Sequence, residues 1–325
     1  MKHNKKESKS TKQQVLPIID VDLDDDTELE INWLKKNANT SNWTIYISKW
    51  NKFFSLRIND YQTKEFSKVV ERWKILTNVD FADELILTDF QFFYATKVNL
   101  FGKRYTSFLE FFARKHQNNI LIPDVDGDSR EFALFQIIHY ILTPTAFAEN
   151  ATTDRPAGVS KPRWKAAEVE KLRKTINTEA EKIERIRNKF TREASVKSTV
   201  IILEAEQNFE DEVAAYAEEK SKAKLHFHPI MGVFKNNAGI PVNFVLYLNG
   251  IILKQNSFKD LLLLYLGVFH LFDMCYPTEG RLVCELLSHC LLDFPISGSA
   301  CRTAENLAEN VMIFINQCLG DDPLA

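Results

Sequence analysis

Apolar residues are densest between Leu225 and Phe294, where a period of two gives way to a helical one and clear turn residues separate the runs. Residues 226–235 and 242–248 read as strands joined across Asn236, Asn237 and Gly239. Asn249-Gly250 then predicts a tight reversal into a return strand at 251–254, because both central residues tolerate positive φ. Ser257 offers a helix cap, with Asp260 three residues on as a shortened capping-box partner. Residues 261–272 are apolar nearly all round, which predicts a helix buried on several sides and stopped by Pro277. With Thr278 as the next cap, Leu282, Val283, Leu286, Leu287, Cys290 and Leu291 define a second, one-faced helix. The run at 261–272 falls short of the ~20 residues that span a bilayer, so it reads as core and no membrane association is expected.

The first half is helical in period. Trp43, Ile47, Trp50, Phe54 and Ile58 recur at helical spacing over 43–58. Residues 63–76 predict a helix capped by Thr63, with Phe66, Val69, Val70, Trp73 and Leu76 on one face. A short apolar segment at 85–94 precedes a helix over 103–115 and another over 129–142, the latter stopped by Pro144. Thr, Pro, Ala, Asn and Gly replace the apolar period at 144–162, the signature of a linker. Val169, Leu172, Ile176, Ile183, Ile186 and Phe190 fall at a and d positions of about three heptads, the lower limit for a coiled coil. Residues 200–203 are a short apolar run, and 204–219 an acidic helix.

The order of these segments carries a resemblance. ERWKIL, ELILTDFQFFY and NLFGKRYTSFLEFF (71–112), FALFQIIHYILTPTAF (132–147), a charged helix, and then HPIMGVF with FVLYLNGIILKQNSFKDLLLLYLGVFHLFDMCYP (228–277) follow one another. The succession resembles a lineage-expanded family of mostly uncharacterised animal proteins, some labelled similar to sterile alpha motif domain-containing protein three. It covers roughly residues 65–294. The chain departs from the pattern in having no recognisable sterile alpha motif domain and in carrying Leu-Thr-Pro (142–144) where the family has Leu-Pro. The resemblance implies no catalytic residues, which counts against an enzyme.

Charge changes the picture only locally. The net charge of −3 argues against a generally nucleic-acid-seeking chain. Residues 161–197 hold twelve cations against six anions, and Lys171, Arg173, Lys174, Arg185, Arg187, Lys189 and Arg192 are the candidate contacts to phosphates. Interspersed glutamates equally suit i,i+4 pairing on a solvated helix, which is the favoured reading. All five cysteines, Cys275, Cys284, Cys290, Cys301 and Cys318, lie late in the chain without a C-x-x-C pair. With no signal peptide, this predicts reduced thiols in the cytoplasm or nucleus. His226, His228 and His289 join the cysteines as conceivable ligands, but no pair has zinc spacing. Asp124, Asp126 and Asp128 alternate as in a calcium loop, yet Ser129 and Phe135 stand where an EF-hand needs glycine and glutamate. Asp128 or Ser129 is instead the expected helix cap. No phosphate loop, dinucleotide fingerprint or nucleophile elbow occurs, so no cofactor is expected.

The expected fold is α+β and predominantly helical: an N-terminal helical module, a long charged helix, and a C-terminal small antiparallel hairpin packed on helices. Its expected divisions are a disordered tail at 1–28, the module at 29–143, the linker at 144–162, charged helices at 163–222 and the hairpin domain at 223–325. The expected function is non-enzymatic protein interaction or regulation, through an unidentified protein partner or self-association by the 164–191 helix. Nucleic-acid association through 161–197 is the alternative.

Overall fold

The computed structural model describes residues 25–37, 43–78, 80–116, 127–142, 193–204, 207–222, 227–296 and 302–320. In chain order these form α1 (Asp25–Lys36), α2 (Trp43–Lys52), α3 (Phe54–Thr63), α4 (Phe66–Arg72), a 3₁₀ turn (Lys74–Thr77), α5 (Ala82–Phe93), α6 (Ala95–Lys115) and α7 (Asp128–Ile141). There follow β1 (Val200–Glu204), α8 (Phe209–Lys222), β2 (Ile230–Lys235), β3 (Pro241–Leu248), β4 (Ile251–Gln255), α9 (Phe258–Leu271), α10 (Arg281–Leu292) and α11 (Arg302–Leu319). The fold is α+β and predominantly helical. The expected linker at 144–162, and the charged helix as far as residue 192, lie outside the described residues.

The hairpin of β3 and β4 forms as its turn requires. Asn249 and Gly250 take φ of 46° and 92°, and Leu248 pairs with Ile251 directly across them. Two further strands extend it: β2 runs antiparallel to β3, and β1 runs parallel to β2, in the order β1-β2-β3-β4. The expected antiparallel hairpin is present, and the two added strands make the sheet a mixed one. The apolar run at 200–203 is a strand, brought alongside β2 by a crossover through α8, as parallel pairing demands.

Alternation along the strands feeds two cores. Val200, Met231, Val233, Phe244, Leu246 and Leu253 face the main one; Ile201, Leu203, Ile230 and Val245 face α8, with Phe209, Val213 and Tyr216. Gly232 is required on the α8 side, since a Cβ there would sit 2.6 Å from the Phe209 ring. The main core is continuous from Ile31 to Ile315, so helices of the expected module at 29–143 and of the expected domain at 223–325 bury into each other. α6 packs on both α10 and α11, and α5 packs on α9.

Several ends differ from the sequence expectation for local reasons. Helical periodicity over 43–58 is interrupted at Phe53, between α2 and α3. Thr63 closes α3 instead of opening the next helix, its hydroxyl donating to the Asn59 carbonyl at 2.6 Å. The apolar segment at 85–94 lies largely within the twelve-residue α5, and the helix expected at 103–115 begins at Ala95. α9 is capped as expected, with the Asp260 amide donating to Ser257 Oγ and that hydroxyl donating to Asp260 Oδ2 at 2.7 Å. It stops at Leu271, six residues before Pro277, and α10 is entered from Gly280 and not from Thr278. α10 is buried on most of its circumference, being gripped by α6 and α11. α7 has no side-chain cap; Asp128 instead accepts the Phe258 amide at 2.7 Å, so it caps α9, which is distant in sequence.

The N-terminal helices are organised on buried charge. Asp89, on α5, accepts from Arg57 Nε at 2.9 Å, Arg57 Nη2 at 2.6 Å, Tyr61 Oη at 2.9 Å and Trp50 Nε1 at 3.2 Å. Arg57 also donates to the Trp50 carbonyl and lies 3.8 Å over the Trp50 ring. Arg57 and Asp89 are 0% and 1% exposed, so each depends on the other for compensation. Arg57→Ala is therefore expected to destabilise the chain by ~3–5 kcal/mol in urea unfolding, because it strands a buried carboxylate. Replacing Arg57 and Asp89 together by methionine and leucine should cost less than that single change. A loss below ~1 kcal/mol for Arg57→Ala would show that the carboxylate is compensated elsewhere.

Candidate functional site

Lys171, Arg173, Lys174, Arg185, Arg187, Lys189 and Arg192, the candidate phosphate contacts, lie outside the described residues, as do Asp124, Asp126, His226 and Cys301. The other nominated groups are dispersed. Cys284 is buried with its sulfur 3.7 Å from the Tyr265 hydroxyl, and burial pushes its thiol up to about 12. Burial does the same to Cys290, which rises to about 12 despite the charge of Arg104. Nδ1 of His289 stands 3.0 Å from the Phe294 carbonyl. His228 packs at 6.4 Å from the Phe269 ring. Among the described residues no three of His, Cys, Asp and Glu gather as a metal would require.

Two histidine clusters were not singled out by the sequence, because their members are far apart along it. His139 of α7 lies between two hydroxyls, with Nδ1 2.8 Å from Ser195 Oγ and Nε2 3.1 Å from Thr199 Oγ1. All three residues are 0% exposed. His270 of α9 meets both Tyr276 Oη and Ser288 Oγ at 3.0 Å through Nε2, and Phe294 stacks on its ring at 3.5 Å. Serine beside histidine has the composition of an activated nucleophile. Enclosure argues for a different role: burial holds His139 at about 3, and burial together with Lys97 holds His270 at about 3. Both are neutral near pH 7 and act as pins, tying the turn at 195–199 to α7 and the loop before α10 to α9.

Open space lies elsewhere. A cleft of about 390 Å³ between α6 and α7 is lined by Tyr105, Thr106, Glu110, Arg130, Glu131 and Leu134. Tyr105 donates to Glu131 at 2.6 Å. Burial raises the Glu131 carboxyl above its ordinary range, the tyrosine bond opposes this and Asp128 adds to it. A raised carboxyl could hold a proton, but the cleft pairs it with a phenol that burial pushes far out of the titrating range.

A groove of about 400 Å³ runs along β1, the outer strand of the sheet. Tyr140 and Gln136 of α7 form one wall, Glu212, Tyr216 and Glu219 of α8 the other, and Val200 to Ile202 the floor. Lys197 crosses toward the α8 wall, 2.6 Å from Glu219 and 5.1 Å from the Tyr216 ring centre. The sequence showed only the apolar character of β1; the groove needs α7, β1 and α8 assembled. No protein-family model matches the chain, and neither a curated protein nor a solved structure matches it.

The buried histidines set a pH dependence. Each binds a proton in the unfolded chain near 6.5 and none in the folded chain until about 3, so stability falls as pH drops below 6.5. The slope is ~1.4 kcal/mol per pH unit for each histidine. Because each unfolded histidine is already half protonated at pH 6.5, urea unfolding at pH 6.5 and 5.0 should show a loss of ~3 kcal/mol in the parent chain and ~1.6 kcal/mol in His139→Gln. Equal losses would show that His139 is already charged or solvated in the folded state.

Proposed function

We propose that this chain is a non-enzymatic protein-interaction or regulatory protein that holds a protein partner. The observation that carries this reading is where the chemistry lies. Histidine and hydroxyl pairs of catalytic composition are enclosed and neutral, whereas the groove along the outer strand offers mixed apolar and charged walls to an incoming surface. Interfaces combine these features: an apolar, aromatic centre with charges at the rim. Tyr140 and Tyr216 supply that kind of residue on the two walls.

An intracellular setting, cytoplasmic or nuclear, belongs to the same proposal. It is supported by Cys275, Cys284, Cys290 and Cys318, which are all unpaired. Among the described residues no helix is long and apolar enough to cross a membrane. Self-association through the 164–191 helix is one form the interaction could take.

The test is purification of the full chain from native extract with and without nuclease, followed by rebinding of any retained protein in pure form. A stoichiometric protein that survives nuclease and rebinds is expected. Lys171→Glu with Arg185→Glu should leave it bound, because the interaction reading does not route binding through phosphate contacts. Fluorescence anisotropy with mixed-sequence DNA and RNA decides against the opposing reading. Tight binding near physiological salt, falling steeply with salt and lost in the double swap, would replace the interaction reading with a nucleic-acid one.

A further inference from the structure

We propose that the groove between α7 and α8 is a docking surface for the chain's own basic segment, residues 182–192. This rests on the reading of that groove as an interaction surface and names what a partner meets there.

Charge along the chain is unevenly placed. Residues 182–192 (KIERIRNKFTR) hold five cations and one anion, so pairing inside the segment leaves most of its charge uncompensated. Residues 161–181 are closer to balance, with six cations against four anions. The opposite excess stands a short way further on, where 204–219 holds seven anions and no cation. Self-repulsion in both stretches falls when the two lie together.

On α8, Glu218 pairs with Lys222 at 2.7 Å and Glu219 with Lys197 at 2.6 Å. Among the described residues no cation pairs with Glu210, Asp211 or Glu212. All three suit the first turn of α8 through the helix dipole, but Glu212 also belongs to a stripe. Glu212, Ala215, Tyr216 and Glu219 recur at i, i+3, i+4 and i+7, and all four line the groove. Glu212, Ala215 and Glu219 are exposed there.

Two observations select residues 182–192 as the occupant. Lys197, the next cation along the chain, already makes the contact: its ammonium bonds Glu219 and lies 5.1 Å from the Tyr216 ring centre. The groove thus takes a cation from this part of the chain between a carboxylate and an aromatic face. The second observation is connectivity. Glu193 itself lines the groove, together with Val196 and Lys197, so Arg192 is held at the groove by its covalent link. Lys189 is four residues from Glu193, a reach of at most ~14 Å. The acids to be met, Glu212 to Glu219, extend over about 10 Å of α8 at ~1.5 Å per residue. A second copy or a partner must be collected from solution, whereas a tethered segment is present at an effective concentration on the order of millimolar. Ile183, Ile186 and Phe190 give the same segment apolar residues for a groove that also offers Tyr140 and Ile202. A protein partner that enters the groove must outcompete this segment, so it brings basic and apolar residues of its own.

The experiment treats the full-length chain with a water-soluble carbodiimide, which joins lysine directly to a carboxylate, and maps the linked peptides by mass spectrometry. A mixture of unlabelled and heavy-isotope-labelled chains separates links within one chain from links between two. Links from Lys182 or Lys189 to Glu212 or Glu219, each within a single label, are expected. Links of mixed label would place the segment of a second copy in the groove and overturn the proposal. So would the absence of these links where Lys197 links to Glu219. Limited trypsin digestion gives an independent reading. Glu212→Gln with Glu219→Gln should keep the parent Tm, both side chains being exposed, and speed cleavage within 182–192 at least fivefold. Should that variant unfold, raising NaCl from about 0.05 M to about 0.5 M on the parent chain should bring the same acceleration by screening, measured against the free 182–192 peptide. Cleavage as fast in the parent as in the free peptide, or unchanged by both treatments, overturns the docking. A native partner retained by the parent chain in that case would leave the interaction reading standing and remove the internal occupant.

Discussion

One carboxylate fixes how the N-terminal helices meet the rest of the molecule. Asp89 is buried and carries a charge that water cannot reach, so its four donors from Arg57, Tyr61 and Trp50 must be held in place. Those donors come from α2 and α3, and the aspartate from α5, which sets three helices in one arrangement. Burial raises the Tyr61 hydroxyl well above its ordinary range, with Asp89 adding to the effect, so it stays a donor. The next residue, Phe90, lies against α9: a Cβ on Gly267 would come within 3.0 Å of its ring. Adjacent positions on α5 thus join a polar lock on one side to the apolar core on the other. Asp60 repeats the device, accepting from Trp73 Nε1 at 2.9 Å and pairing with Lys64 at 2.7 Å and Arg72 at 3.0 Å.

Features governed by a few neighbouring residues were legible in the sequence. Asn249-Gly250 reverses the chain, Ser257 caps α9, and the all-round apolar run at 261–272 is buried almost throughout. What escaped depends on contacts between distant residues. Strand β1 has only five residues and becomes a strand by pairing with β2 across a whole helix, so periodicity alone could not tell it from a stray apolar run. Asp128 looked like the cap of its own helix because capping rules are local. Its acceptor went instead to Phe258, 130 residues away, where α9 begins. Pro277 marked a stop that α9 had already made by turning out at Phe272. Of the candidate site, the cations at 171–192 were visible as charge, and the groove was not, because no single stretch contains it.

The polar interior follows a common logic. His139 and His270 are each placed between hydroxyls that can donate or accept, which suits a neutral ring at pH 7. Each cluster anchors a short connecting stretch, the helical turn and reversal at 193–199 that enter β1 in one case and the loop between α9 and α10 in the other. A buried polar pin specifies one packing where apolar contacts alone would tolerate several, provided every member is satisfied. The turn held by His139 leads directly into β1, so this pin also sets where the outer strand lies.

The two edges of the sheet are treated differently, and the difference bears on what each can do. At the far edge α5 packs on β4, and Gln255 donates from its side chain to Asp83 at 2.9 Å, where burial has raised the carboxyl above its ordinary range. A helix laid against an outer strand is a common protection against unwanted pairing. At β1 the helices stand to either side, α7 toward one face and α8 toward the other, and a groove takes the place of a cover. β1 is also short and ends in the exposed Glu204, which limits the length any neighbour can pair along. An edge that is short, recessed and walled resists indiscriminate sheet extension.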